Sequence, residues 1–136
     1  MRAESDLGAP FDKIRRRADF VSAAKGARWN EHAFGLQMRR RAEADEARPR
    51  FGLTVTKKTA PRAVDRNRIR RRLREALRLG AALGGRPGHD YVVVARIELL
   101  QTPFPALRER LAAAIQGVSR RGPRPPRDSK TRPRAP

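Results

Sequence analysis

The chain has 136 residues, of which 33 are Lys or Arg and 14 are Asp or Glu, so its formal charge is +19 at pH 7. A charge of this size implies a polyanionic partner, and nucleic acid is the first candidate. Cysteine is absent and two histidines are present. This excludes a thiolate nucleophile and a Cys-ligated zinc site. We interpret His32 and His89 as ordinary surface residues, and we expect no catalytic residue and no metal site on the protein.

The domain organisation follows from where apolar residues are concentrated. They make up 38% of the sequence, enough for one domain with a modest core but not for two. Residues 119–136 hold seven cations, one acid and five prolines, a composition typical of disorder. We therefore predict a frayed N-terminus over residues 1–8, a single domain over residues 9–118 and a disordered basic tail over residues 119–136. Because we find no spanning apolar run and no signal peptide, we expect a cytoplasmic protein with no membrane partner.

The first half of the domain predicts a helix followed by two strands. Apolar residues at roughly helical spacing predict a helix over residues 17–25, and they are Ile14, Phe20, Val21 and Ala24. Apolar and polar residues then alternate over residues 34–38 and again over residues 51–55, with a polar stretch between them. This pattern predicts two strands joined by an exposed hairpin loop.

The second half predicts two helices with a buried strand between them. Asp65 can cap the first of these helices and Gly80 can end it. Its apolar stripe consists of Ile69, Leu73, Ala76 and Leu77. The apolar run over residues 91–95 is short and rich in β-branched residues, so it predicts a buried strand. A last amphipathic helix closes a domain of mixed α/β class.

The positive charge is concentrated between residues 57 and 78. This segment has two acids, Asp65 and Glu75, and ten cations, which are Lys57, Lys58, Arg62, Arg66, Arg68, Arg70, Arg71, Arg72, Arg74 and Arg78. A solvated helix face usually interleaves both signs, and here only Glu75 is placed to pair within the cluster. The segment therefore predicts phosphate binding.

Several segments resemble, in order and with compatible spacing, the protein subunit of bacterial ribonuclease P. The most specific is the run Arg-Asn-Arg-Ile-Arg-Arg-Arg-Leu-Arg-Glu-Ala over residues 66–76, which follows the paired lysines at 57 and 58. Residues 17–20 are similar to the first helix of the family, residues 51–56 to the strand before the lysines, and residues 90–96 to the later strand. The resemblance covers about residues 12–118.

The resemblance implies a two-layer α/β sandwich of order αβββαβα, a ribosomal-protein-like fold with a left-handed crossover over the basic helix. It also implies an accessory subunit of an endoribonuclease that removes the 5′ leader of precursor tRNA. The RNA subunit would supply the catalytic groups and hold Mg²⁺, with no cofactor bound by the protein alone. The implied partners are the catalytic RNA and precursor tRNA in the cytoplasm, and not DNA.

The resemblance also implies two sets of site residues. The set implied to contact the catalytic RNA is Lys57, Lys58, Arg62, Arg66, Asn67, Arg68 and Arg71. The set implied to line a cleft for the single-stranded leader is Phe20, Gln37, Arg70 and Arg74. An unpaired strand requires flat aromatic faces and cations. Ala24 and Gln37 stand where family members often carry aromatic residues, so less stacking on the leader is expected here.

Two other functions stay open at the level of sequence. A structural RNA-binding protein, such as a ribosomal protein or an RNA chaperone, would explain the charge and the α/β pattern without any role in tRNA processing. A DNA-binding regulator is a third hypothesis, but no turn-linked pair of helices precedes the basic helix. The identity of the RNA that accompanies the native protein discriminates among them.

Overall fold

The computed structural model describes residues 11–41 and 47–121. Within these ranges five strands and three helices follow one another as β1 (Asp12–Lys13), α1 (Arg17–Ala24), β2 (Ala27–Asn30), β3 (Phe34–Arg40), β4 (Arg50–Thr54), α2 (Ala63–Arg78), β5 (His89–Ala95) and α3 (Phe104–Arg121). Short 3-10 turns, Ala81–Gly84 and Ile97–Gln101, flank β5. The predicted α/β class is confirmed. Residue patterns alone did not predict β1 or β2, both of which are too short to show clear alternation.

β5 lies at the centre of the sheet, whose strands are ordered β1-β4-β5-β3-β2. It is parallel to β4 and antiparallel to β3. The side chains of Tyr91, Val92 and Val93 are at most 1% exposed, because a central strand with helices on both faces buries nearly every side chain. The prediction of a buried strand is confirmed, and the strand begins two residues earlier than predicted, at His89.

The predicted hairpin between the strands over residues 34–38 and 51–55 is wrong. These strands are β3 and β4, but β5 lies between them and pairs with both. Alternation of apolar residues shows which side chains face a core, yet it does not identify the neighbouring strand. The more apolar β5 takes the central position, so the chain from β3 to β4 must pass the end of β5. Residues 42–46 of that connection lie outside the described residues.

The sheet separates a large core from a small one. On one face, α2 and α3 pack against alternate side chains of β3, β4 and β5 to form the large core. On the other face, α1 contributes to a small buried cluster of Ile14, Ala23 and Val92, with Phe20 and Val94 packed against it. Helices α1 and α2 therefore lie on opposite faces of the sheet.

Helix α2 has the predicted apolar stripe, since Ile69, Leu73, Ala76 and Leu77 are at most 2% exposed. The helix begins at Ala63, with Arg62 as N-cap residue and no side-chain cap. The predicted cap by Asp65 is wrong, because Asp65 lies in the first turn, where its carboxylate still interacts favourably with the helix dipole. The helix ends before Gly80, whose φ of +127° favours glycine, as predicted.

Helix α1 is one residue shorter than predicted and packs with a different face. Val21, predicted in the apolar stripe, is 48% exposed, whereas Ala23 is fully buried. Over two turns, the apolar spacing fits more than one orientation of a helix, so the sequence did not decide which face is buried.

Helix α3 continues to Arg121, beyond the predicted end of the domain at residue 118. Ser119 is 4% exposed and its Oγ lies 2.6 Å from the Tyr91 Oη, so the folded unit includes it. The rest of the predicted tail, and the predicted frayed residues 1–8, lie outside the described residues. In the described part of the chain, no helix is long and apolar enough to cross a membrane. The left-handed sense of the β4–α2–β5 crossover stays a prediction.

Candidate nucleic-acid interface

A hydrogen-bonded turn after β4 places the paired lysines next to the start of α2. The Thr56 carbonyl accepts a hydrogen bond from the Ala60 N–H at 3.0 Å, and the Thr56 Oγ1 accepts one from the Thr59 N–H at 3.1 Å. Lys57 and Lys58 lie within this turn and are both exposed. The turn thus holds two cations next to the N-terminal end of the helix, where the dipole is already positive.

Arg66 and Arg62 are partly engaged by the protein itself. One guanidinium nitrogen of Arg66 donates to the carbonyls of Ala60 and Pro61, both at 2.9 Å. Arg66 therefore fixes the loop between the paired lysines and α2, and its guanidinium is only partly available to a phosphate. Arg62 is exposed, with its Nε 4.0 Å from a carboxylate oxygen of Asp65.

Arg72 ties α2 to the segment that precedes α3. Its guanidinium donates to the carbonyls of Leu99 and Thr102 in and after the second 3-10 turn. Burial and then the nearby charge of Arg68 lower the pKa of Arg72 from its ordinary value. Arg72 has no phosphate role in either predicted set, which agrees with this structural engagement.

Arg78 and Glu75 form an exposed ion pair at the end of α2. The hydrogen bond from Arg78 lowers the pKa of Glu75, and the same bond raises the pKa of Arg78. The carboxylate that sequence reasoning allowed to pair within the cluster is thus committed to one cation.

Six cations of the basic segment have no hydrogen bond or ion pair within the described residues. They are Lys57, Lys58, Arg68, Arg70, Arg71 and Arg74. We call them the α2 cations. Like charges this close together repel one another, and none of the six forms an ion pair with an acid of the described chain. A bound anion would remove that repulsion. A groove between α2 and the start of α3 adds the ring of Phe104 to this surface, beside Arg71 and Arg74.

The first predicted set comes together around the N-terminal half of α2. Asn67 is exposed between Arg66 and Arg68, and Arg71 lies one turn further along the helix. Six of the seven residues are exposed, and Arg66 is the exception. The set therefore forms one surface, although its members differ in how much of their charge is unpaired.

The second predicted set is divided by the sheet. Phe20 belongs to α1 and packs against the small core, and Gln37 lies on that face because its neighbours Leu36 and Met38 belong to the large core. Arg70 and Arg74 belong to α2, on the opposite face. The four residues that the resemblance assigned to one cleft are thus not brought together in the described structure.

Sequence reasoning missed a second group of exposed cations beside α1. Four side chains are exposed and make no hydrogen bond or ion pair within residues 11–41 and 47–121, and they are those of Lys13, Arg15, Arg16 and Arg17. We call them the α1 cations. The carbonyl of Arg16 accepts the hydrogen bond of the Phe20 N–H, so Arg16 precedes Phe20 by one helical turn. The signal of the α1 cations was visible as a basic run with a single apolar residue inside it.

A buried carboxylate network also escaped the sequence patterns. Asp90 is fully buried and accepts hydrogen bonds from Arg39, Arg41 and Arg50 at 2.7–3.0 Å. Burial acts to raise the pKa of Asp90, but the hydrogen bonds from Arg50, Arg41 and Arg39 outweigh it, and the pKa lies below its ordinary value. Arg39 and Arg50 also contact Asp19 of α1, at 3.0 and 3.3 Å. Residues that meet from three strands and a helix leave no local signature in a sequence.

The described residues offer no metal site. Among residues 11–41 and 47–121, no group of three or more His, Cys, Asp or Glu residues could hold a metal ion. His32 is exposed, whereas His89 is 8% exposed, contrary to its interpretation as a surface residue. The Nδ1 of His89 lies 2.9 Å from the Pro87 carbonyl, so the imidazole ring is engaged by the protein itself.

Comparisons with known proteins point to one family. The family model described as Ribonuclease P matches residues 9–119. The chain is 47% identical over 94 residues to the "Ribonuclease P protein component" of Caulobacter vibrioides, an alignment that covers 69% of this chain and 62% of that protein. It is 40% identical over 115 residues to the protein of the same name from Brucella suis, covering 80% of this chain and 81% of that protein.

A solved structure has the same fold. The ribonuclease P protein from Thermotoga maritima matches with a TM-score of 0.65 and 25% sequence identity, over 79% of this chain and 97% of that one. The two helices and the sheet that present the α1 and α2 cations lie within the residues matched by the family model.

Proposed function

The chain belongs to the ribonuclease P protein family, and from this membership and its surface we propose that it is the protein subunit of a ribonuclease P ribonucleoprotein. It binds a catalytic RNA and the 5′ leader of precursor tRNA, and it assists the endonucleolytic step that produces the mature 5′ end. The observation that carries the proposal is the group of α2 cations, six positive side chains on one turn and helix without partners in the described chain.

The α2 cations support binding to the catalytic RNA. In the uncomplexed protein their mutual repulsion opposes folding, and the positive end of the helix dipole adds to it. RNA phosphates would remove the repulsion between these cations and accept charge-assisted hydrogen bonds from them. The planar guanidinium of Arg can donate to two phosphate oxygens at once. Arg66 supports the same surface indirectly, because it holds the lysine turn against the helix.

The face with α1 supports binding to the unpaired leader. Phe20 offers a ring, Gln37 a hydrogen-bonding amide, and Arg16 and Arg17 lie one turn away with their charges unpaired in the described chain. These are the groups that a single strand uses for stacking and for phosphate contact. We assign the leader to this face, and Arg70 and Arg74 to the RNA bound at α2, because the sheet separates the two.

The protein contributes position and charge, not reacting groups. The described residues do not fit a metal ion, so Mg²⁺ is proposed on the RNA subunit and no step is assigned to a metal held by the protein. Two RNA molecules that approach each other repel through their phosphates, and a protein of charge +19 between them lowers that repulsion. The site of action would be the cytoplasm, where tRNA is processed.

The test is to purify the native complex at moderate salt and to sequence its RNA. The proposal expects one abundant RNA that, together with the protein, cleaves the leader from precursor tRNA. A complex that holds ribosomal RNA and has no cleavage activity would contradict it and favour a structural RNA-binding protein. DNA in place of RNA would favour a regulator.

A further inference from the structure

Two arginines of the sheet connect helix α1 to a fully buried carboxylate. Arg39 of β3 donates from Nε to Asp90 and from Nη2 to Asp19, both at 3.0 Å. Arg50 of β4 donates to both carboxylate oxygens of Asp90, at 2.8 and 2.7 Å, and its Nη2 lies 3.3 Å from Asp19. Each guanidinium thus bridges the centre of the sheet and the first turn of α1.

Asp90 makes this bridge rigid. It is 0% exposed, and Arg41 donates to it as well, at 2.8 Å. A buried carboxylate held by several charge-assisted hydrogen bonds cannot move without leaving a charge unsatisfied. Because Arg39 and Arg50 are fixed by Asp90, the Nη2 of each, 3.0 and 3.3 Å from the carboxylate of Asp19, holds Asp19 in one place.

Helix α1 has few other attachments to the sheet. It is eight residues long, has no side-chain N-cap and buries only Ala23. A helix this short is not stable alone, so its position depends on tertiary contacts. It packs on the sheet through Phe20 and through the small apolar cluster of Ala23 and Val92. Its polar links to the sheet are the two pairs made by Asp19 and a hydrogen bond from Arg28 Nη2 to the Ala24 carbonyl at 3.1 Å.

Phe20 directly follows Asp19 and is seated against the sheet through Gly52. A Cβ placed on Gly52 would lie 2.6 Å from the Phe20 ring, closer than atoms can approach. The ring therefore packs directly on the backbone of β4. Its depth and tilt depend on where the first turn of α1 is held.

We propose that Asp19 is a positioning residue. Held by Arg39 and Arg50, it fixes α1 and the Phe20 ring over the sheet and so sets the shape of the groove that receives an unpaired RNA strand. This inference rests on the proposed function, since it concerns the face assigned to the leader. Asp19 itself has no unpaired charge to offer to RNA, and a carboxylate would repel phosphate.

The experiment compares Asp19→Asn with Glu31→Gln in the reconstituted holoenzyme. Both changes remove one negative charge, and Glu31 pairs with Arg110, so Glu31→Gln controls for the change in net charge. The readout is the ratio of the affinities for precursor tRNA with a leader of several nucleotides and for mature tRNA. We expect Asp19→Asn to lower this ratio by roughly fivefold or more, as when one stacked base is lost, and Asp19→Glu to restore part of it.

Binding of mature tRNA and of the catalytic RNA should stay unchanged in Asp19→Asn, which a general loss of folding would not allow. Should Asp19→Asn not fold, Arg39→Gln removes the shorter of the two links to Asp19 from the side of the sheet and leaves Arg41 and Arg50 on Asp90; it should lower the same ratio by a smaller factor. An unchanged ratio in a folded variant, or an equal fall with Glu31→Gln, would overturn the inference. If the unaltered protein shows no preference for precursor tRNA, the proposed function fails instead.

Discussion

Replacing Arg68 with Ala should make binding of the protein to the catalytic RNA less dependent on salt. Each phosphate neutralised by a cation contributes about 0.9 to the log–log slope on a duplex and about 0.7 on a single strand. Six α2 cations are unpaired within the described chain, and under the proposed function those on one side of the helix would meet the same RNA. The slope expected for the unaltered protein is therefore roughly −3 to −5. Arg68→Ala should flatten it by about one unit.

Arg66→Ala should behave differently, although both arginines belong to the same Arg-Asn-Arg run. Arg66 already donates to two carbonyls of its own loop. Its loss should weaken binding because the lysine turn loosens, and it should change the slope by less than Arg68→Ala does. The double variant should consequently flatten the slope by little more than Arg68→Ala alone.

The assay is equilibrium binding to the catalytic RNA from about 50 to 200 mM KCl at fixed Mg²⁺, a range over which phosphate contacts change affinity strongly. Arg110→Gln is the matched control, since Arg110 is exposed but paired with Glu31. Its slope should equal that of the unaltered protein. The reasoning is refuted if Arg68→Ala and Arg110→Gln give the same slope, or if Arg66→Ala flattens it more than Arg68→Ala.

Three further outcomes are expected. Changing His32 and His89 together to Gln should leave the cleavage rate of the holoenzyme within a few-fold of that of the unaltered holoenzyme. A loss of roughly 10²-fold or more, which is typical of a general acid or base, would contradict catalysis by the RNA subunit. Asp90→Asn should lower the free energy of unfolding by roughly 3–5 kcal/mol in urea at pH 7, because it removes the carboxylate shared by the buried guanidinium of Arg41 and the partly buried ones of Arg39 and Arg50. Folding lowers the pKa of Asp90. The stability that the Asp90 carboxylate contributes is therefore complete above the ordinary carboxyl pKa and is lost as the pH falls through the lowered value. When the free energy of unfolding is measured against pH, the Asp90→Asn variant should not show this loss. The double change Ala24→Phe and Gln37→Tyr should strengthen the binding of precursor tRNA by roughly 1–3 kcal/mol per stacked base and leave the binding of mature tRNA unchanged. If both tRNAs bind more tightly by the same amount, these positions do not belong to the leader site.

The sequence predicted the elements better than their arrangement. The stripe of Ile69 and Leu73 and the branched run of β5 are local signals, and both are buried as predicted. The hairpin failed because β3 and β4 each carry a correct alternation, while the choice of neighbour depends on β5, some forty residues later in the chain. Pairing between distant strands depends on which strand takes the central position, and no short sequence pattern indicates which strand that is.

The sequence predicted which region of the chain forms the basic surface, but it did not predict which cations of that region are unpaired. Arg68 and Arg72 look alike in the sequence, yet Arg72 donates to carbonyls about thirty residues away, and Arg68 has no partner in the described chain. A count of cations therefore overstates the charge available to RNA. In the same way, Arg70 and Phe20 were assigned to one cleft, although their helices lie on opposite faces of the sheet.

Under the proposed function, the two faces would let the protein favour precursor tRNA over mature tRNA without changing how it binds the catalytic RNA. Contacts of the α2 cations with the catalytic RNA are the same whether the complex holds precursor or mature tRNA, so they cannot change the ratio of the two affinities. Only a contact with the leader can do so, and the face proposed for the leader is the one that carries Phe20 and the α1 cations. The proposal therefore expects preference for precursor tRNA to depend on how α1 is held, and assembly with the RNA to depend on α2. The sheet, with Asp90 and its arginines on one face and the large core on the other, keeps these two tasks on separate surfaces of a single small domain.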